Sequence, residues 1–399
     1  MGHFDGASVA GSLGMSIAGK KILFLVSEDW YFCSHRLELG RALVEQGAKV
    51  SVATRIGKHR DEIIRAGIRV IPFNLARSGR NPFRDLFNIF QLIWIYFCER
   101  PHIVHHVALK PTLYGAFAAW ITRRPIVVNA LGGMGYIFIS DSFFARTVRT
   151  LSGLAFRLLM NRPNSRTILQ NPDDIALYQD NVGVLSQNLV QIKGSGVDLK
   201  KFVPSAELDE VPVAVCVSRM LWDKGIGELV YAARILKERG VELTVRLVGP
   251  TDANPASIPE KTLDSWHKQG IVQVAGSQTD IVGEYAKAHI AVLPSYREGL
   301  PKSLLEAAAC GRSMVASDVP GCREVCRPDE TGLLVPAHSV EPLADALEKL
   351  ASDKVLRQKM GAQARAIAET EFGIEAVIAA TTDLYTDLIK RAENPHERS

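Results

Sequence analysis

The chain has 399 residues, 47% of them hydrophobic and 23% charged, which is ordinary for a globular protein and long enough for two buried cores. No run reaches the roughly 20 apolar residues of a membrane span. The net charge of +4 hides an asymmetry: residues 1–204 carry 25 Lys/Arg against 14 Asp/Glu, and residues 205–399 carry 22 against 29. The first half is therefore basic and suited to an anionic partner.

In chain order, residues 1–19 are rich in Gly, Ser and Ala and read as a disordered tail, with no signal peptide. Strands are expected at 21–27, 49–55, 69–74, 102–107, 125–131, 166–171 and 189–193. Most lack alternation, as strands covered on both faces do. Helical stretches at 35–46 and 82–99 lie between them. The apolar run 86–98 contains Asn88 and Gln91 and has the length of an amphipathic or buried helix. Arg55, Lys58, Arg60, Arg65 and Arg69 lie in a basic stretch that ends at Arg84. A solvated face and an anion-binding face are both open for it.

The alternation breaks over 200–211, where two prolines and an acidic stretch place a domain boundary. It then restarts, with strands at 213–218, 243–249, 271–275, 290–294, 313–317 and 332–335. Helices follow at 225–239, 281–287, 303–310, 340–352 and 354–369. A last helix, 374–391, is long enough to pack outside its own domain. The expectation is an α/β protein. Residues 20–204 and 205–372 form two Rossmann-like, doubly wound parallel-sheet domains facing a cleft, and 373–399 pack back on the first. The six cysteines lack the paired spacing of a zinc site and read as reduced thiols, pointing to a cytoplasmic compartment. The basic half carries no recognised nucleic-acid motif.

Two turns carry chemistry. Glu298-Gly299-Leu300-Pro301-Lys302-Ser303-Leu304-Leu305-Glu306 follows a strand and enters a helix. Pro301 suits a first helical turn, and amides near Leu300, Lys302 and Ser303 would form an anion site. Glu298 and Glu306 could bracket a nucleotide sugar, or be two helix-end glutamates with surface partners. Ser218-Arg219-Met220-Leu221-Trp222-Asp223-Lys224-Gly225 also joins a strand to a helix. Its Arg and Lys could hold a diphosphate and neutralise a departing one without a metal. Lys193-Gly194-Ser195-Gly196-Val197-Asp198 is open to two readings, a hinge and a ligand contact.

The motifs GSGVD (194–198), SRMLWDKG (218–225), EGLPKSLLEAAACG (298–311) and DVPGCREV (318–325), in this order and spacing, resemble the retaining glycosyltransferases of family GT4, which have the GT-B fold. The segments SHRLELGRALVEQG (34–47), HHVALKPTLYGA (105–116) and NALGGMGYIF (129–138) are similar, more loosely, to bacterial enzymes that build lipid-linked oligosaccharides, capsule or O-antigen. The resemblance implies that Arg219 and Lys224 hold the donor diphosphate, Glu298 the donor sugar and Glu306 the ribose. Gly196, Ser218, Gly299, Leu300, Pro301 and Ser303 would line the same site. The backbone near Val274 and Gly276 would face the base, which is uracil by the same resemblance. Retention by front-face displacement, without a metal or other cofactor, is implied by the family alone.

The first loop, Ser27–His35, lacks the Gly-Gly pair of many relatives, and Asn129-Ala130-Leu131 stands where some carry a histidine. On the acceptor side the candidates are His35, His106, Lys110 and Gly133. For His35, His105 and His106 a structural role competes with a catalytic one. The expected acceptor is a polyprenyl-diphosphate-linked glycan, met peripherally at the inner face of the cytoplasmic membrane. Phe143–Met160, with Arg146, Arg149 and Arg157 among apolar residues, is either a membrane-surface helix or a core-facing one. A nucleotide-sugar epimerase of related two-domain fold is the alternative enzyme.

Overall fold

A computed structural model describes residues 17–75, 82–124, 126–132, 153–252 and 254–394. Gly133, most of the 1–19 tail and residues 143–152 lie outside them. The chain divides into two compact units, Met1–Ser195 with Val377–Ser399 and Gly196–Ala376. This division precedes the proline-containing stretch, because Val197 and Phe202 are buried in the core of the second unit. Among the described residues no helix is long and apolar enough to cross a membrane.

The first unit holds a seven-stranded sheet in the order β3-β2-β1-β4-β5-β6-β7. Its strands are β1 (Lys21–Glu28), β2 (Lys49–Arg55), β3 (Arg69–Pro72), β4 (Ile103–Val107), β5 (Ile126–Ala130), β6 (Ser165–Leu169) and β7 (Leu189–Gln191). All pairings are parallel. Strands β4, β5 and β6 are buried at every position, which explains why none of them alternates apolar with polar residues. One core layer takes Tyr385, Leu388 and Ile389 from the long helix Ile374–Glu393. The other contains Leu92, Ile95 and Tyr96 of the helix Pro82–Glu99.

The second unit holds a six-stranded parallel sheet in the order β10-β9-β8-β11-β12-β13. Its strands are β8 (Val213–Val217), β9 (Thr244–Val248), β10 (Gln273–Gly276), β11 (Ile290–Leu293), β12 (Ser313–Ser317) and β13 (Gly332–Val335). Consecutive strands run outward from β8 through β9 to β10, and then from β11 through β12 to β13. The order therefore reverses between β8 and β11, and crevices at the carboxyl ends of strands form at such switch points.

Three expectations are corrected. The segment read as a loop over Ser27–His35 is the end of β1 followed by a helix, Asp29–His35. The helix expected at 35–46 runs Leu37–Glu45, with Arg36 as the joint. Pro301 stands just before the helix Lys302–Ala309 and not in its first turn, in extended backbone with φ −73° and ψ 115°.

Candidate active site

Four loops at the carboxyl edge of the second sheet approach one another, and glycines allow it. Gly225, at φ +68°, would place a Cβ 2.0 Å from the Pro294 carbonyl oxygen. Gly249, at φ +144°, would place one 1.8 Å from the Ser218 oxygen, and Gly321 one 2.3 Å from the Gly299 oxygen. A side chain at any of these positions would collide with backbone, so the loops after β8, β9, β11 and β12 close up only without one.

The loop after β8 forms a single 3-10 turn, Trp222–Lys224, before Gly225 redirects the chain into the helix Ile226–Glu238. The Ser295 hydroxyl and the Tyr296 N–H both donate to the Asp223 carbonyl, at 3.3 and 3.0 Å. The loop after β11 is thereby fastened to the turn that carries Lys224. Across the switch point the Lys224 ammonium donates to a Glu298 carboxylate oxygen. Both side chains are mostly buried, at 20% and 12% exposure. Two thiols, those of Cys216 and Cys322, lie near enough to feel both charges, and burial raises each of them above its usual range. A low-dielectric floor of this kind strengthens the pair above it.

Arg219 does not join this pair. Its guanidinium donates to Asp252, after β9, at 2.6 Å. Asp252 was not identified from the sequence. The signal for it is the Gly249-Pro250-Thr251-Asp252 turn at the end of a strand. Ser218 donates through its hydroxyl to the Arg219 carbonyl at 3.2 Å. At the neighbouring edge, the Gly249 N–H donates to the Gly276 carbonyl at 2.8 Å. Val274 pairs with Leu247 in the same ladder. A Cβ on Gly276 would meet nothing within 4 Å, so the space beside this backbone is open.

The helix Lys302–Ala309 makes its first backbone bonds from the Leu304 and Leu305 amides to the Pro301 carbonyl. The amides before Leu304 therefore stand outside the helical ladder, as at any helix start. Leu300 and Pro301 are buried and Ser303 is half-buried, its carbonyl accepting from the Tyr285 hydroxyl at 2.6 Å. Glu306 lies one turn beyond Lys302, whose ammonium is 3.7 Å away. Burial raises the Glu306 carboxyl above its ordinary pKa, while Lys302 and Lys201 oppose the rise. Gly196, at φ +69°, leads into Val197, whose N–H donates to the Phe372 carbonyl at 2.9 Å.

In the first unit the acceptor-side candidates fare differently. His106 is fully buried and is corrected to a core residue. Its Nδ1 meets Asn129 Oδ1 at 2.8 Å and its Nε2 meets the Tyr96 hydroxyl at 2.9 Å. Burial pushes its pKa down to about 4, which keeps the ring neutral. With Nδ1–H donating to Asn129, Nε2 accepts from Tyr96. A Cβ on Gly115 would lie 2.4 Å from this ring. His105 points to the opposite layer, its Nδ1 2.5 Å from the Tyr385 hydroxyl. Successive residues of a central strand face opposite sides, so both histidines are sealed in. His35 stacks on Tyr31 with ring centres 4.1 Å apart. Lys110 pairs with Asp85 at 2.8 Å.

Sequence reasoning also missed Asp29. This buried carboxylate accepts from the backbone amides of Trp30, Gly57 and His59 at 2.7, 2.5 and 3.1 Å, tying the end of β1 to the loop after β2. Nearby, Cys33, His59 and Glu62 bring potential metal-donor atoms within 4.8 Å of one another. Burial and the Glu62 and Asp29 carboxylates push the Cys33 thiol up to about 12.

Known proteins share this architecture. Residues 198–367 match the family described as "Glycosyl transferases group 1", and residues 21–165 match "Glycosyl transferase 4-like". A Campylobacter jejuni N,N'-diacetylbacillosaminyl-diphospho-undecaprenol alpha-1,3-N-acetylgalactosaminyltransferase is 28% identical over 82% of this chain and 89% of its own length. The capsular polysaccharide biosynthesis glycosyltransferase CapM of Staphylococcus aureus is 24% identical over 78% and 83%. Among solved structures, Anabaena HepE in complex with UDP-glucose aligns over 92% of this chain and 99% of that one, with a TM-score of 0.74 at 20% identity. Both parts match glycosyltransferase families, and the two parallel sheets agree with them: the chain is a glycosyltransferase, with a glycosyl transferase 4-like first part and a second part of glycosyl transferases group 1.

Proposed function

We propose that the enzyme moves a hexose or N-acetylhexosamine from a UDP-sugar to a polyprenyl-diphosphate-linked or polysaccharide acceptor in bacterial surface glycan synthesis, with retained configuration. The observation that carries this reading is the meeting of Lys224 and Glu298 at the switch point, beside the start of the helix Lys302–Ala309. Lys224 and Arg219 take the diphosphate, and Glu298 then exchanges its ammonium partner for a sugar hydroxyl. Glu306 takes the ribose, and the open backbone at Gly276 takes the base. The C1–O bond to the β-phosphate breaks as the acceptor oxygen bonds to C1 on the same face. The acceptor proton passes to the departing phosphate oxygen. Lys224, Arg219 and the helix amides stabilise the negative charge left on that phosphate.

The basic first unit suits an anionic, diphosphate-linked acceptor, and the names of the Campylobacter and Staphylococcus relatives support a lipid-linked or capsular glycan. Such an acceptor would bring the enzyme to a membrane surface as a peripheral protein.

The test is a panel of nucleotide sugars, first ranked by thermal stabilisation, since a bound donor raises apparent stability. Each is then incubated with and without a polyprenyl-diphosphate-linked glycan. Sugar transfer that requires the glycan supports the proposal. Conversion of the nucleotide sugar alone would show an epimerase instead.

A further inference from the structure

The helix Pro82–Glu99 is apolar on two opposite sides. Asn88, Leu92, Ile95 and Tyr96 are buried in the first unit. The other side exposes Phe83 at 83%, Phe87 at 67%, Phe90 at 62%, Trp94 at 66%, Phe97 at 57% and Leu86 at 53%. At about 100° per residue these six side chains fall within roughly 100° of arc. They run about 21 Å along the helix axis. One apolar side is enough to hold a helix on its domain, and a second one in water is unfavourable unless something covers it. The helix Leu109–Ile121, packed alongside, also exposes apolar side chains, Trp120 at 54% and Ile121 at 47%.

Among the described residues, the exposed charges on this helix and just beyond its end are of one sign. The other exposed side chains of the helix are Arg84 and Cys98. Its two carboxylates are engaged, Asp85 with Lys110 at 2.8 Å and Glu99 with Arg69. Beyond the helix end, the Arg100 guanidinium lies 6.0 Å from the Phe97 ring centre, and Arg100 is close enough to Arg124 to repel it. Exposed Arg123 adjoins Arg124. Aromatic rings in a straight line, edged by arginines and with no exposed acid on the described residues of the helix, match the boundary between headgroups and acyl chains of an anionic bilayer. A second copy of the chain fits poorly, because facing stripes would bring these arginines together with no exposed carboxylate of the helix to meet them.

We infer that the exposed aromatic face of Pro82–Glu99 seats the enzyme on an anionic membrane, with the helix axis in the membrane plane. This deepens the proposed membrane-linked acceptor. It stands apart from the donor chemistry, because vesicle binding is read with no substrate present.

The experiment uses the full chain and vesicles of phosphatidylcholine with or without phosphatidylglycerol. Flotation of wild type should require phosphatidylglycerol and weaken with salt. The triple variant Phe87→Glu, Phe90→Glu, Trp94→Glu should lose binding at least tenfold, while keeping the unfolding temperature and its turnover with a water-soluble acceptor. Should that variant fold poorly, brominated lipids give a second readout. They should quench wild-type fluorescence more than that of Trp94→Phe, which keeps an apolar ring. Failure of wild type to float, equal flotation of a folded triple variant, or equal quenching in both proteins would overturn the inference. A wild-type dimer in sedimentation velocity that the triple variant abolishes, without vesicle binding, would assign the face to self-association. Loss of transferase activity in a protein that still floats would instead strike the functional proposal alone.

Discussion

The Lys224 ammonium and the Glu298 carboxylate meet although 74 residues separate them in the chain. Each sits in the loop that follows its own strand, β8 or β11, the two strands that flank the switch point. The contact is therefore a product of topology, and Gly225 against the Pro294 carbonyl sets its closeness. Lys224→Ala and Glu298→Gln should each lower kcat about 100-fold or more, as expected for groups that stabilise developing charge. Lys224→Ala should also destabilise the fold by about 1–3 kcal/mol, since it leaves a mostly buried carboxylate without its partner. The double variant should recover much of that stability and none of the turnover. Steady-state kinetics and denaturant unfolding on all four proteins check this. Recovery of both properties together would mean that the pair serves the fold alone.

Glu306 allows a separate test. Its carboxyl is raised by burial, so it holds its proton more tightly folded than unfolded. The stability linked to it is fully present below the ordinary value of 4.5 and is lost as pH rises through the folded value. Glu306→Gln removes that loss and should leave the protein at least as stable at pH 7. If the carboxylate accepts ribose hydroxyls, the same change should raise KM for the nucleotide sugar about tenfold, with a smaller effect on kcat. Calorimetry and kinetics on one preparation decide it. An unchanged KM removes Glu306 from the donor site.

His106 predicts an acid-sensitive first unit. Its pKa falls from 6.5 to about 4 on folding, so the unfolded chain takes up a proton in that window while the folded one does not. The linked stability is fully present above pH 6.5 and declines as pH falls toward 4. The total is about 3 kcal/mol at 1.36 kcal/mol per pKa unit. His106→Gln should flatten the pH dependence of unfolding between 6.5 and 4 by roughly one proton. An unchanged slope would mean that the ring is already charged in the fold.

The thirteen strands were legible because buried parallel strands are short apolar runs, and each is found within a few residues of its expected span. Their order was legible only as a fold class. Lys224 and Glu298 stood out because each is a charged residue beside a glycine in the turn after a strand, Arg219 because it shares the turn of Lys224, and Glu306 because it lies in the helix that follows Glu298. Arg219 with Asp252 was invisible, since the partner comes from another turn whose approach depends on Gly249. His106 misled for a related reason. A histidine at the end of an apolar strand reads the same whether it opens into a crevice or is capped by Tyr96 and Asn129. The helix Asp29–His35 escaped because its run of aromatic residues shows no single apolar face. In Pro82–Glu99, both sides are apolar, and periodicity alone does not say which one meets solvent.

The helix Ile374–Glu393 has a consequence for how the chain is made. From Val377 onward it belongs to the unit that contains the first strands, where Tyr385 reaches His105 and Leu388 and Ile389 complete a core layer. A ribosome releases these residues after the whole of the trailing unit. The leading unit must therefore wait, with that layer incomplete, while the entire trailing unit is synthesised. Termination between Ala376 and Tyr385 would remove Tyr385, Leu388 and Ile389 and so damage the unit built around the first strands, far from the cut in sequence.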